Sequence, residues 1–251
     1  MPTLGQGRTR AIRGCFVYLT LLWPECARIA SYVESVWAPF KSLATGLERV
    51  PDSVWDQVEL EGLVLADNRL REVSDRIGRL NRLRMLDLGH NQLPSVPESL
   101  GDLQALTDFL YLHDNRLTSL PASLGRLEKL RYLNISENAF AELPEAVTRM
   151  TGLVELRATD NALTTLPDSI ANLSKLRELH LRNNKLTSLP AAIGRLQELR
   201  QLDLRGNPLK ALPASIAALP RLEKLDLRWV ETLELPAWIF DLEARGCLVY
   251  H

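Results

Sequence analysis

The chain has 251 residues, of which 46% are hydrophobic and 24% are charged, a composition typical of a globular protein. Its 30 basic and 31 acidic residues give a formal net charge of −1. This balance argues against a general binder of nucleic acid or of anionic membranes, which needs an excess of positive charge.

Residues 1–44 form the first predicted unit, an amphipathic helical segment. Between residues 12 and 40, apolar side chains recur at alternating intervals of four and three residues, as on one face of a helix. Pro24 suits the first turn of a second helix, so we expect helices at about residues 9–22 and 24–37. We expect them to cap the hydrophobic end of the segment that follows.

Two alternatives for this segment are weighed against capping. Contact of residues 12–40 with a membrane or a partner helix is the first, because an amphipathic helix can serve either purpose. A secretory signal peptide is the second, since arginines precede a short apolar run. Pro24 and Glu25 interrupt that run, and no small-residue cleavage site follows, so we favour the cap.

From about residue 45 to residue 226 the sequence repeats itself. Residues 176–199 read L-x-x-L-x-L-x-x-N-x-L followed by x-x-L-P-x-x-I-x-x-L-x-x-L. The asparagines of this motif are separated by 23, 24, 23, 23, 23 and 23 residues: Asn68, Asn91, Asn115, Asn138, Asn161, Asn184 and Asn207. A fixed period of this length indicates a solenoid of stacked units.

Residues 227–251 read as a degenerate closing unit, in which Val230 stands where the next asparagine is due. Such an end must be covered, because the last repeat of a solenoid otherwise exposes its hydrophobic face. We predict a C-terminal capping repeat that covers the end with the following apolar residues: Trp229, Trp238, Ile239, Phe240, Leu242, Leu248 and Val249.

These repeats resemble the 23-residue leucine-rich repeat class with an L-P-x-x-I half. Similar repeats occur in cytosolic Ras-group scaffold proteins and in bacterial proteins, some of which are secreted effectors. The resemblance covers about residues 45–242 and implies an α/β repeat solenoid, a leucine-rich repeat horseshoe with a parallel sheet on its concave side. It says little about function, because one fold serves many functions.

Each part of the motif predicts a local structure. Leucines two residues apart share one face of a short strand, so the residues between them face the open, concave side. The proline suits the start of a short 3₁₀ turn. The asparagine amide can pair with backbone N–H and C=O groups that the turn leaves without a partner. One extra residue lies between Leu106 and Leu110, and we expect a bulge at that strand entrance.

The sequence gives no pattern specific to catalysis. It has neither a Gly-rich phosphate loop nor a Gly-x-Ser-x-Gly elbow, so we predict no enzyme activity and no cofactor. His90 and His113 lie in adjacent repeats, but no cysteine or third histidine joins them, and we predict no metal site. A ubiquitin-ligase-like enzyme is the weakest alternative, because no separate catalytic domain is apparent.

The residues between the leucines carry the predicted binding site. They form an aromatic group in one half of the concave face and a lattice of mixed charge in the other. Exposed aromatics beside arginine are typical of interfaces, and the residues assigned to partner binding are Met85, Phe109, Tyr111, His113, Tyr132, Arg157, His180, Arg182 and Arg205. In the alternative interpretation, the charge pairs only align the sheet and solubilise it.

The sequence therefore predicts a non-enzymatic protein–protein interaction module or scaffold that binds a protein partner on its concave face, with signalling as one setting. Three cysteines without a flanking cluster favour a reducing compartment, so we expect a cytoplasmic protein. The alternative is a secreted bacterial effector or host-directed inhibitor that acts by occlusion.

Overall fold

A computed structural model describes residues 40–42 and 46–251, and the predicted helices at 9–22 and 24–37 lie outside this part of the chain. The described residues form one ten-stranded sheet in which every strand pairs in parallel with its sequence neighbours. The strands are β1 Phe40–Ser42, β2 Gly62–Val64, β3 Met85–Asp87, β4 Phe109–Tyr111, β5 Tyr132–Asn134, β6 Glu155–Arg157, β7 Glu178–His180, β8 Gln201–Asp203, β9 Lys224–Asp226 and β10 Leu248–Tyr250. The predicted parallel repeat sheet is confirmed.

The two faces of the sheet divide as the leucine spacing requires. In the repeat around β7, Leu179 and Leu181 are fully buried, whereas Glu178 and His180 point to the other face and reach solvent. Equivalent residues stand side by side, so Glu178 pairs in register with Glu155 and Gln201. The buried leucines of all repeats form one continuous core between the sheet and the convex side.

Short helices line the convex side. In most repeats a proline with φ near −65° precedes the first helical residue, because its fixed φ suits the turn and its missing N–H is not needed there. Within residues 46–251, the 3₁₀ helices are Asp52–Val54, Asp75–Arg79, Glu98–Asp102, Ala122–Arg126, Asp168–Asn172, Ala191–Arg195 and Ala214–Ala218, and the α-helices are α1 Glu145–Thr148 and α2 Ile239–Ala244.

The asparagines, each buried or half-buried, form a hydrogen-bonded ladder. The Asn184 amide donates to the carbonyls of Ala158 (2.9 Å), Leu181 (2.9 Å) and Arg182 (3.3 Å), and its Oδ1 accepts from the Leu163 N–H at 3.0 Å. The other six asparagines make equivalent bonds to the preceding repeat. Each therefore satisfies backbone groups that the turn leaves without a partner, as predicted.

The extra residue of the fourth strand is absorbed at the strand entrance. The N–H groups of Asp108 and Phe109 both bond to the Arg84 carbonyl, but the next repeat bonds through Arg131 N–H to the Thr107 carbonyl, one residue earlier. The backbone hydrogen bonds between strands thus shift by one residue at position 107, while Phe109 and Tyr132 keep their register. This placement confirms the predicted bulge and preserves the two faces of the strand.

The C-terminal end is covered less completely than the sequence predicts. Ile239 and Leu242 of α2 are buried against the last repeat. Phe240, Leu248 and Trp229 are instead exposed, so their assignment as covering residues is wrong. Phe240 lies one position along α2 from the buried Ile239, and Leu248 shares the open face of β10, so neither can turn toward the core.

Among the described residues, no helix is both long and apolar enough to cross a membrane.

Candidate partner-binding face

The open face of the sheet carries three rows of side chains, set by the strand register. The first two rows come from the ends of each three-residue strand, and the third lies two residues further on. The face has two different halves. From β2 to β5 the rows contain one ionisable carboxyl group, that of Asp87, whereas β6 to β9 carry acidic and basic residues in nearly every position.

The aromatic cluster, defined as Met85, Phe109, Tyr111, His113 and Tyr132, occupies the first half. Its rings contact one another. The centroid of the Tyr111 ring lies 5.0 Å from that of Tyr132, 6.0 Å from that of His113 and 6.1 Å from that of Phe109. Phe109 and Tyr132 meet edge to face at 5.7 Å. These separations are those of favourable aromatic pairs, so the structure brings together the rings that the sequence assigned to binding.

The exposure of the cluster differs from the prediction at two positions. Met85 and Tyr132 are only 6% and 9% exposed. The Tyr132 ring packs against Phe109 and Tyr111, and Met85 pairs in register with Phe109. Phe109, Tyr111 and His113 remain partly exposed. The expectation that all five side chains stand open to solvent is therefore wrong for Met85 and Tyr132.

Two histidines extend the cluster toward the turn side of the face. His113 packs over Gly89, where a Cβ would lie 2.3 Å from its ring, and meets His90 edge to face at 4.7 Å. Burial, followed by the nearby charge of His90, lowers the pKa of His113 to about 4. Burial opposes the charged form of His90 too, but a 2.6 Å hydrogen bond to Asp114 offsets it and raises the pKa of His90.

Four ionisable side chains interlock at the centre of the charged half. Arg157 Nε donates to Glu155 Oε1 at 2.5 Å, and His180 Nε2 lies 3.2 Å from Glu178 Oε2. Burial raises the pKa of Glu155 although Arg157 opposes this, whereas the hydrogen bond with His180 lowers the pKa of Glu178. The two predicted residues Arg157 and His180 thus contact carboxylates that stand directly opposite each other on β6 and β7.

A metal ion has one candidate ligand set within the described part of the chain. Ligand atoms of Glu155, Glu178 and His180 all lie within 4.8 Å of one another. Carboxylate and imidazole groups suit a divalent transition metal. Arg157 already donates to the Glu155 oxygen, however, so a metal would have to displace that guanidinium group. The observed contacts are an Arg157–Glu155 ion pair and a His180–Glu178 hydrogen bond.

The arginine row lies along the edge of the charged half. Arg182 bonds to Asp160 in the neighbouring turn at 3.0 Å. Arg205 donates twice to Asp203, at 2.8 and 2.6 Å, and lies 3.6 Å from Asp226. Each predicted arginine is therefore held in place by a carboxylate, and each keeps part of its surface open to solvent.

Sequence reasoning did not assign three residues that extend this row: Arg228, Trp229 and Tyr250. Arg228 donates to Asp226 at 2.9 and 2.7 Å, and its guanidinium lies 5.8 Å from the Trp229 ring and 5.2 Å from the Tyr250 ring. Trp229 could have been singled out from the sequence, because the other repeats have a small, polar or charged residue at the equivalent turn position.

A parallel sheet of consecutive strands in register, with one side chain per strand in each row, defines a repeat solenoid. The comparisons give the family. A leucine-rich repeat region model matches residues 107–182 and 168–245, more than half of the chain, and a leucine rich repeat model matches residues 58–109. The chain belongs to the leucine-rich repeat family. A comparison with curated protein sequences finds no significant match.

Solved structures share this fold. A leucine-rich repeat protein of Leptospira interrogans is 27% identical over 84% of this chain, with a TM-score of 0.69. The plant peptide hormone receptor RGFR1, in complex with RGF2, is 30% identical over 79%, with a TM-score of 0.67. The ectodomain of the Arabidopsis thaliana receptor kinase GASSHO1/SCHENGEN3 is 28% identical over 83%, with a TM-score of 0.61. This chain spans 60%, 34% and 29% of these three chains, respectively.

Proposed function

We propose that this chain is a non-enzymatic interaction module that binds an extended segment of a protein partner across its concave face. The aromatic cluster carries the proposal. Phe109, Tyr111 and His113 keep ring surface open although the leucines already supply the core. Partly exposed aromatic residues beside arginine are the usual composition of interface hot spots.

The family and its structural neighbours support this function. Leucine-rich repeats are typically non-enzymatic interaction modules, and no catalytic family is among the matches. RGFR1 is a plant peptide hormone receptor in complex with RGF2, and the match, at 30% identity, covers 79% of this chain and 34% of the RGFR1 chain. A peptide-like ligand on this chain is consistent with that likeness.

The register gives the size of the proposed contact. Tyr111 ends β4 and Arg205 follows β8, so four strand steps separate them. Adjacent strands lie about 4.8 Å apart, and an extended chain rises about 3.3 Å per residue, so roughly six partner residues span this distance. A segment of this length would meet first the aromatic cluster and then the charged half of the face.

The test is removal of one ring from the aromatic cluster. Tyr111→Ala should weaken partner capture by about 2 kcal/mol, because Tyr111 is central in the cluster and still reaches solvent. Wild-type and variant proteins on beads would be exposed to native lysate, and the captured proteins compared by quantitative mass spectrometry. Urea unfolding of both proteins establishes that they are folded under these conditions.

The matched control is Arg195→Ala, an exposed change on a convex 3₁₀ helix. It should capture the same proteins as wild type in the same amounts. Equal capture by Tyr111→Ala and wild type would contradict the assignment of the concave face.

A further inference from the structure

A second group of exposed side chains lies at one end of the concave face. We call it the C-terminal corner and define it as Arg205, Lys224, Arg228, Trp229 and Tyr250. Trp229 is 65% exposed and adopts a left-handed backbone conformation with φ of 62°. Other repeats place mostly small, polar or charged residues at this turn position: Asp67, His90, Asp114, Glu137, Asp160, Asn183 and Gly206. A bulky aromatic residue is disfavoured in that conformation, so folding alone does not explain Trp229.

The rings of the corner are held by cations. The guanidinium groups of Arg205 and Arg228 lie 5.9 and 5.8 Å from the centre of the Trp229 ring. Arg228 and Lys224 lie 5.2 and 5.6 Å from the centre of the Tyr250 ring. These distances are within the range of cation–π contacts, which favour the observed orientations of the two rings.

The charges of the corner are arranged in two layers. The Asp226 side chain is only 1% exposed, and Asp203 is buried too, whereas the Arg228 side chain is 43% exposed. The carboxylates thus orient the guanidinium groups from below, and the groups that meet solvent are N–H donors and aromatic rings. Arg205, Lys224 and Arg228 are all more exposed than the two carboxylates beneath them, so the surface that a ligand meets on the corner itself is cationic and favours an anionic ligand.

A small apolar cavity adjoins Trp229. Its volume is about 270 Å³, and it is lined by Leu227, Trp229, Val230, Glu231, Leu233, Leu235 and His251. This is below the roughly 300–1,000 Å³ typical of sites for drug-sized molecules. It has room for a single side chain, and its mostly aliphatic lining suits an apolar one.

We propose that the C-terminal corner binds an acidic peptide segment in which an apolar side chain lies next to Asp or Glu residues. The apolar side chain enters the cavity beside Trp229, and the carboxylates accept hydrogen bonds from Arg228 and Lys224. This inference builds on the proposed protein-binding function but places the contact outside the aromatic cluster.

Fluorescence anisotropy with a defined probe tests the proposal. The probe is a fluorescein-labelled peptide, Glu-Glu-Phe-Glu-Glu, and the control peptide carries Lys in place of every Glu. The wild-type protein should prefer the acidic probe by about tenfold or more, and added salt should weaken its binding. Equal affinity for the two peptides would overturn the proposal.

Trp229→Asn is the decisive variant, because asparagine tolerates a left-handed turn and should keep the fold intact. It should weaken the acidic probe by about tenfold while the melting temperature stays the same or rises. Arg228→Lys keeps the charge but loses the planar pairing with Asp226, and it should weaken the probe as well. Unchanged binding in both variants would contradict the proposed site.

Tyr111→Ala separates this inference from the proposed function. It should bind the acidic probe as tightly as wild type, because Tyr111 lies on β4, far from the corner at β8 to β10. If Tyr111→Ala abolished probe binding, the peptide would be seated on the aromatic cluster and the corner would be excluded. If Tyr111→Ala left partner capture intact while Trp229→Asn still weakened the probe, only the aromatic-cluster proposal would fail.

Discussion

At the scale of single residues, an aspartate or asparagine at the end of a strand accepts a hydrogen bond from the turn that follows. Asp87 Oδ1 accepts a hydrogen bond from the Gly89 N–H at 2.9 Å, and Asn134 Oδ1 accepts from the Ser136 N–H at 3.0 Å. Asparagine and aspartate at this position therefore both accept a hydrogen bond from the backbone N–H two residues further on. They differ in charge, and Asp87 must place its charge in a buried site.

This difference predicts a pH-dependent stability for Asp87→Asn. Burial, opposed by the Gly89 hydrogen bond, raises the pKa of Asp87 to about 6, compared with 3.8 for an ordinary aspartate. Between these values the unfolded chain releases the proton while the folded chain keeps it, so rising pH favours unfolding. Relative to Asp87→Asn, wild type should lose up to about 3 kcal/mol of its free energy of unfolding between pH 4 and pH 7.

Urea unfolding of both proteins at the two pH values measures this effect. Asp87→Asn should be the more stable protein at pH 7, with a smaller advantage at pH 4. A stability difference that does not change with pH would show that Asp87 ionises normally in the folded protein.

At the scale of elements, the asparagine ladder joins each turn to the preceding repeat. Asn184→Ala removes three donated hydrogen bonds and leaves the buried Leu163 N–H without its acceptor. We expect the free energy of unfolding to fall by about 1–3 kcal/mol, because a buried backbone group left unpaired bears its full desolvation cost.

Thermal or urea unfolding checks the ladder prediction, with Asn172→Ala as the matched control. Asn172 ends a convex 3₁₀ helix and is exposed, so the same chemical change there should cost little. Equal stability of Asn184→Ala and Asn172→Ala would show that the asparagine ladder does not contribute to the free energy of unfolding.

The sequence predicts where the elements lie but not how exposed their side chains are. The 23-residue period fixes strands, turns and the bulge at Thr107, because each depends on local spacing and on backbone hydrogen bonds. It brings the predicted aromatic residues together for the same reason. It does not give exposure, since Met85 and Tyr132 are covered by neighbours on other strands. Nor did it reveal Trp229, whose surroundings come from β8, β9 and β10 together.

At the scale of the whole molecule, every repeat packs mainly on the repeats before and after it. Stability in such a solenoid is approximately a sum of repeat and interface contributions. Within the described residues, β10 at the C-terminal end pairs only with β9, and this end exposes Leu248 and Phe240. It should therefore open more readily than the centre, although the hydrogen bonds at the two places have similar lengths.

Two amides make this difference measurable. The Ala158 N–H bonds to the His180 carbonyl at 2.9 Å, next to the central strand β6, and the Leu248 N–H bonds to the Glu223 carbonyl at 2.8 Å at the start of β10. Exchange at Leu248 requires only the last repeat to open, whereas exchange at Ala158 requires central repeats to separate on both sides. Hydrogen exchange measured by NMR should be at least about 100-fold faster at Leu248, a difference of about 3 kcal/mol in opening free energy. Equal protection factors would instead show that the chain unfolds as one cooperative unit, with an end as strongly coupled to the core as its middle.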